Sequence, residues 1–290
     1  MDSAASPLDL DPHAFRRAAQ QVVERIAAFL QEPERWRVLP AIAPGSVRSA
    51  LPSAPPATTE NFDDILADFD RLIMPATTHW NHPGFMAYFA TTGSAPGILA
   101  ESLIAMVNVN AMVWRTGPAA TELEEVTLDW LRQMIGLPAN FDGVINDTAS
   151  SSTLYALAAA RELQSDLRLR EDGLAGRADV PRLRIYCSEE AHSSVDKAAI
   201  TLGFGLSGIR RIKADDEYRM DVSALRRAIA EDRARSYRPI AVVATVGTTS
   251  TTAVDPVNEI ADVCAAENIW LHVDAAYAGT AAVLPEMRWI

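Results

Sequence analysis

The sequence predicts an α/β protein built on a mainly parallel sheet and preceded by an N-terminal helical segment. Three observations carry that expectation. From Gly143 onward, short apolar runs alternate with helical patterns, the order that builds βαβ units with right-handed crossovers. The run Ile269–Val273 ends on a carboxylate, Asp274, and then opens into Ala275-Ala276-Tyr277-Ala278-Gly279. Such a run fits a strand covered on both faces, with its acidic end at the mouth of the sheet, where ligands bind. Before all this, Asp11 to Leu30 places Phe15, Val22, Val23, Ile26, Phe29 and Leu30 at helical spacing.

The totals exclude several classes. At 290 residues the chain holds one large domain or two smaller ones, and 49% apolar content suffices for a core. A net charge of −12 argues against nucleic-acid and anionic-membrane partners. Apolar runs break off well short of a membrane span. The start, MDSAASPLDLDPHAF, is acidic and lacks an apolar signal core, so a cytoplasmic protein is expected. Cys187 and Cys264 fall in strand and helix patterns and read as buried free thiols. Lys197 and Lys213 are the two lysines of the sequence, so any lysine chemistry within it uses one of them.

In chain order, the first amphipathic helix needs a partner surface, either its own domain or a second subunit. Leu39 to Pro56 is Pro-rich and reads as irregular. A helix follows over Asn61 to Ile73. The stretch Thr77 to Gly93 is dense in aromatics, Gly and Pro, and reads as a structured loop that packs locally or lines a pocket. Its His79 and His82 have metal-ligand spacing but no third ligand in sight. Helices are expected over Ala95–Val113 and Ala119–Ile135. Strands are expected at Gly143–Asn146, Leu183–Cys187, Gly208–Ile212, Ile240–Thr245 and Ile269–Val273. Between and after them come helices at Ser151–Gln164, His192–Leu202, Val222–Ala230 and Pro256–Ala266. Asp255-Pro256 reads as an N-cap carboxylate followed by Pro at the first helical position.

Gly203-Phe204-Gly205-Leu206-Ser207-Gly208 matches a dinucleotide fingerprint, but a helix precedes it and a strand follows, the reverse of what phosphate binding requires. Asp147-Thr148-Ala149-Ser150 is better placed, after a predicted strand and at a helix start, where hydroxyls and free N–H groups form a phosphate cradle or an ordinary cap. His192 starts another helix, as a ring-stacking and proton-moving group or as a capping residue. Gly247-Thr248-Thr249 follows a third strand. Four strand ends should therefore converge on one mouth.

The motifs His192-Ser193-Ser194, Gly247-Thr248-Thr249 and His272-Val273-Asp274-Ala275-Ala276-Tyr277-Ala278-Gly279 resemble the group II pyridoxal-phosphate-dependent amino-acid decarboxylases. His82-Pro83-x-Phe85 with Tyr88-Phe89, Thr121-Glu122-Leu123-Glu124 and Asp147-Thr148-Ala149-Ser150 match too. The resemblance runs from about Phe15 to the last residue and is nearest to the bacterial aromatic-L-amino-acid decarboxylases. It implies a fold-type-I, PLP-dependent transferase-like large domain over 76–290, with residues 1–75 as a helical segment that embraces a second subunit in a homodimer. It implies pyridoxal 5′-phosphate as cofactor. Asp274 would face the pyridine nitrogen and His192 the ring. Thr148, Ala149 and Ser150 would hold the phosphate, with Thr249 and Ala276 beside the cofactor. Trp80, Phe89, Thr91, Asn110 and Met112 would line the substrate side. Asn110 and Met112 depart from the apolar or aromatic residues usual in the aromatic-specific members. The expected activity is decarboxylation of an aromatic L-amino acid to its amine and CO₂. The alternatives are another amino acid (histidine, glutamate, diaminobutyrate), aldehyde-forming chemistry, or an inactive dimer-forming chain. The family's Schiff-base lysine is expected in an Asn-x-His-Lys segment just beyond Ile290. Neither Lys197 nor Lys213 matches it, so the sequence reads as a fragment that stops short of that lysine and of the small C-terminal domain.

Overall fold

The computed structural model describes residues 10–290; the first nine residues of the acidic start lie outside them. The chain falls into two compact units, one running to Val109 and the other Asn110–Ile290, whereas the sequence motifs were divided after residue 75.

In the first unit, helix α1 (Pro12–Gln31) begins as its sequence dictates. Asp11 accepts from the N–H groups of His13 (2.8 Å) and Ala14 (2.9 Å), and Pro12 takes the first helical position. The Pro-rich stretch is not wholly irregular, because Ser46–Ala50 forms a short helix, α2, entered through Gly45. Helix α3 (Phe62–Asp68) runs into a π turn over Phe69–Ile73. Arg25 of α1 reaches back to Asp70 in that turn, with Nη2 2.9 Å from Oδ2. An apolar cavity of about 850 Å³ lies among Ile26, Phe29, Trp36, Leu66 and Met74. Helix α4 (Ala95–Val107) ends short of the expected Val113, because Asn108 adopts a left-handed φ of 44°. Asn tolerates that conformation and stops a helix there.

In the second unit, α5 (Pro118–Ile135) ends on Gly136 in the left-handed region. Then come α6 (Ala149–Glu162), the short α7 (Leu169–Asp172), β1 (Leu183–Ser188), α8 (Ser194–Thr201) and β2 (Ile209–Ile212). The unit continues through α9 (Val222–Ala234), β3 (Arg238–Thr245), α10 (Val257–Glu267) and β4 (Trp270–Asp274). All strand pairs are parallel, in the order β2-β1-β3-β4. The two faces of the sheet carry separate cores. Ile185, Cys187, Ala241 and Val243 pack on α6 and α8 through Leu157, Ala160, Val195 and Ala199. Tyr186, Ile212, Val242 and Ala244 pack on α9 and α10 through Leu225, Ile229, Ile260 and Val263. Strand β3 is covered on both sides, and full burial of each of its Val and Ile side chains contributes about 1.5–3 kcal/mol. Both cysteines are buried free thiols, with the Cys187 thiol pushed up to about 12 and that of Cys264 to about 11, chiefly by burial.

Three expectations need correction. Gly143–Asn146 forms no strand; Val144 and Ile145 are exposed, and the Ile145 N–H donates to the Glu124 side chain (2.8 Å) instead of to a neighbouring strand. Strand β4 has α6 against one face and the α9/α10 core against the other, yet it is buried less fully than expected, because it pairs only with β3 among the described residues and leaves Trp270 and Val273 partly exposed. Asp255 does not cap α10, whose N-cap position is Pro256. Its buried carboxylate accepts instead from the N–H groups of Met220 and Thr245, both at 2.7 Å, tying the end of β3 to the turn after β2. Local sequence shows a capping residue type but not the long-range donors that compete for it.

Candidate active site

In a parallel sheet the carboxyl ends of the strands share one edge, and ligands bind there. Asp274 is the last residue of β4 and pairs in register with Thr245, the last residue of β3. Two residues back, His272 pairs with Val243. Side chains two apart on a strand share a face. His272, Asp274 and Thr245 therefore stand on the α6/α8 side, continuous with Val243.

The loops after these strands are stitched to one another. The Val246 N–H donates to the Asp274 carbonyl (2.8 Å), and the Ala278 N–H donates back to Val246 (3.3 Å). Between them Gly247 sits at φ +88°, where a Cβ would lie 2.8 Å from the Ala278 Cβ and from the Tyr277 ring. Only glycine permits this approach. The Asp274 carboxylate is half-buried, and its Oδ1 accepts from the Ala276 N–H (3.2 Å). In the threonine loop, Thr248 is buried, with its Oγ1 2.6 Å from that of Thr251 and accepting from the Ala253 N–H at 3.0 Å. Thr252 holds φ 59°, a strained conformation for a β-branched residue. Thr249 is exposed at the tip.

The start of α6 reaches the same edge. Thr153, one turn in, places its buried hydroxyl 3.3 Å from His272 Nε2. Burial holds the imidazole below the usual histidine range, against the opposing charge of Asp274. Thr148 caps the helix, with Oγ1 accepting from the Ser151 N–H at 3.2 Å. The first-turn N–H groups of Ala149 and Ser150 have no carbonyl behind them in the helix, so they can receive an anion. The Asp147 carboxyl beside them is held low, chiefly by a hydrogen bond from the Ser151 side chain. Because no strand precedes this turn, the linked cluster consists of two strand ends, those of β3 and β4, and one helix N-terminus, rather than four strand ends.

His192 precedes α8 instead of lying within it. The ring is exposed, and its Nδ1 accepts from the Ser194 N–H (3.1 Å), which leaves the proton of the neutral ring on Nε2. Lys197 on α8 and Lys213 after β2 are both exposed.

The structure thus brings together Asp274, Ala276, the loop that carries Thr249, and the Thr148-Ala149-Ser150 turn. Trp80, Phe89 and Thr91 belong to the first unit, where Trp80 stacks on Phe85 (4.7 Å) and Tyr88 (5.5 Å). There His79 is buried between the rings of Phe29 and Trp36, and His82 Nδ1 accepts from the Gly84 N–H. Asn110 and Met112 open the second unit, exposed, with the Met112 N–H bonded to the Asn110 side chain (3.1 Å). Sequence reasoning did not single out Thr153, Thr245 and His272 as site residues. Their signal was polarity at the inward positions of otherwise apolar elements. No three His, Cys, Asp or Glu side chains cluster at metal-binding distance among the described residues. No helix among them is long and apolar enough to cross a membrane.

A carboxylate, a helix N-terminus and a hydroxyl-rich loop at one edge of a parallel sheet define an α/β protein that takes a small, phosphate-bearing ligand at its strand ends. The chain belongs to the pyridoxal-dependent decarboxylases: residues 44–290 match the family described as the pyridoxal-dependent decarboxylase conserved domain. It is 40% identical over 285 residues to the aromatic-L-amino-acid decarboxylase of Cavia porcellus, covering 94% of this chain and 58% of that one. It is 37% identical to the histidine decarboxylase of Homo sapiens, covering 96% of this chain and 43% of that one. A crystal structure of Oryza sativa TDC with PLP and tryptamine superposes with a TM-score of 0.89 at 36% identity, over 99% of this chain and 62% of that one. The fold is that of the fold-type-I PLP decarboxylases. The chain spans little more than half the length of the aromatic-L-amino-acid decarboxylase it matches.

Proposed function

We propose that the whole protein is a PLP-dependent carboxy-lyase that converts an aromatic L-amino acid to its amine and CO₂. The observation that carries this reading is Asp274, at the ligand-binding edge of the sheet with only part of its acceptor capacity used, facing the same side as a helix N-terminus. The residues present fit the cofactor. A carboxylate opposite a pyridine nitrogen, open N–H groups for a phosphate, and the small Ala275 and Ala276 between them meet its three chemical demands. The buried Thr245 hydroxyl, without a hydrogen-bond partner among the described residues, adds unused polar capacity beside Asp274.

When bound, pyridoxal phosphate supplies a protonated ring that accepts the electron pair left as CO₂ departs. Asp274 would pair with the ring nitrogen and keep its proton in place. Ala149 and Ser150 would hold the phosphate through their N–H groups, with Thr148 fixing the turn. Thr249 and Ala276 would lie beside the cofactor. His192 would face the ring and offer the Nε2 proton, its orientation set by the Ser194 N–H. Trp80, Phe89, Thr91, Asn110 and Met112 are assigned to the substrate side chain on the strength of the sequence motifs. A homodimer is supported by the exposed Phe15 and Val23 on α1, and a cytoplasmic location by two reduced, buried cysteines.

Histidine as substrate is a second reading. It is favoured by the polar Asn110 at a position where aromatic-specific members carry apolar residues, and by the likeness to the human histidine decarboxylase. The test is CO₂ release by the full-length protein from a panel of L-amino acids, with product analysis. The expected result is the highest kcat/KM on tryptophan, tyrosine, phenylalanine or DOPA. Preference for histidine would transfer the assignment to the second reading, and release from no amino acid would overturn both.

A further inference from the structure

Thr245 is a buried residue, 3% exposed, at the carboxyl end of the most deeply buried strand. Its backbone N–H is bound by Asp255, but its Oγ1 has no hydrogen-bond partner among the described residues. Burying an unpaired hydroxyl costs stability, and valine would fill the same volume without that cost. The neighbour in register is Asp274. Paired positions on adjacent strands lie about 4.8 Å apart, and both side chains stand on the α6/α8 face. Asp274 spends Oδ1 on the Ala276 N–H, which leaves Oδ2 with acceptor capacity. One hydroxyl with a spare donor and one carboxylate with a spare acceptor thus stand at paired positions on one face of the sheet.

We propose that Thr245 is a positioning residue for Asp274. Its hydroxyl donates to Oδ2 once the carboxylate turns to meet the ring nitrogen, fixing that orientation from below. Thr245 acts through Asp274 and touches neither cofactor nor substrate. This inference rests on the cofactor reading above and adds a donor to it. It predicts opposite signs for two properties of one variant, a combination that a packing role would not give.

The test uses full-length protein carrying Thr245→Val or Thr245→Ser, each with Asp274 intact and with Asp274→Asn. Two quantities are measured: thermal unfolding of the cofactor-free protein, and the dissociation constant for pyridoxal phosphate by fluorescence titration. Thr245→Val should unfold at or above the wild-type temperature, yet bind pyridoxal phosphate about tenfold more weakly, as expected for loss of one hydrogen bond to a charged group. Thr245→Ser should bind within about twofold of wild type, since it keeps the donor. In the Asp274→Asn background, Thr245→Val should cause no further loss. Unchanged affinity of Thr245→Val, an equal loss with and without the Asp274 carboxylate, or a clear drop in its unfolding temperature would each overturn the proposal while leaving the cofactor reading intact. Failure of the wild-type protein to bind pyridoxal phosphate would remove the reading and the proposal together.

Discussion

Two carboxylates stand on opposite faces of the same sheet. Asp232, on the α9 side, is 1% exposed and paired within the fold. It accepts from the Tyr186 hydroxyl at 3.0 Å and lies 2.9 Å from Arg210 Nη1 and 3.2 Å from Arg184 Nε. The Arg184 guanidinium in turn lies 4.0 Å over the Tyr237 ring. Asp274, on the α6/α8 side, is half-buried and accepts from the Ala276 N–H, with no cation bound among the described residues. Asp232 has both carboxylate oxygens engaged by a hydroxyl and two guanidinium groups within the fold, whereas Asp274 has one backbone N–H on one oxygen. A buried carboxylate that the protein pairs internally serves its architecture, while one left partly unsatisfied at a sheet edge is held ready for a ligand.

That contrast is open to direct attack. The largest effect is expected from Asp232→Ala, which leaves two guanidinium groups facing each other. A loss of about 3–5 kcal/mol should appear in urea unfolding, in the range for breaking a buried ion pair from one side. Asp274→Asn should do the reverse. Unfolding should stay within about 0.5 kcal/mol of wild type, as for a residue whose bonds are mostly unmade. Decarboxylation by the full-length protein should nevertheless fall by about two to three orders of magnitude, the range for losing one electrostatic group in a reaction centre. If the two variants exchange phenotypes, the division between structural and functional carboxylate is wrong.

A smaller effect sharpens the comparison further. His272 neighbours Asp274 and has its folded-state pKa lowered by burial. The unfolded chain therefore binds the proton first as pH falls. Stability is lost on descending from the unfolded value, near 6.5, to the lowered folded value, and is regained as pH rises through that window. His272→Asn should flatten that part of the stability–pH curve, measured by denaturant midpoints between pH 7 and 5. No change in slope would mean that the imidazole is solvated in the native state.

Much of the α6/α8 side was legible in the residues, and much of the α9 side was not. Strands β1 to β4 were readable within a residue or two, because short runs rich in apolar and β-branched residues flanked by helical periods leave few alternatives. Asp274 stood out because a charge at the end of such a run demands a reason. Asp232 did not, since an acidic residue in the Arg-rich segment Ala230–Arg235 looks like any solvated helix face. Its burial is decided by Tyr186, 46 residues earlier. The same limit explains Asp255, whose two donors come from a turn and a strand that no local window contains. It also explains Gly143–Asn146, where strand propensity was present but the backbone groups found a glutamate instead of a neighbouring strand.

The register of β3 on β4 has a consequence of its own. Because Thr245 lies opposite Asp274 and strand side chains alternate, sliding β4 by a single residue would turn Asp274 and His272 to the α9/α10 side and bring Val273 into their place. Intermediate arrangements are not available to a paired strand. The proposed reaction centre is therefore digital: it is assembled in full by one alignment of two strands or is not assembled at all. A substitution far from Asp274 that loosens this pairing would lower the fraction of competent molecules without changing the rate of each.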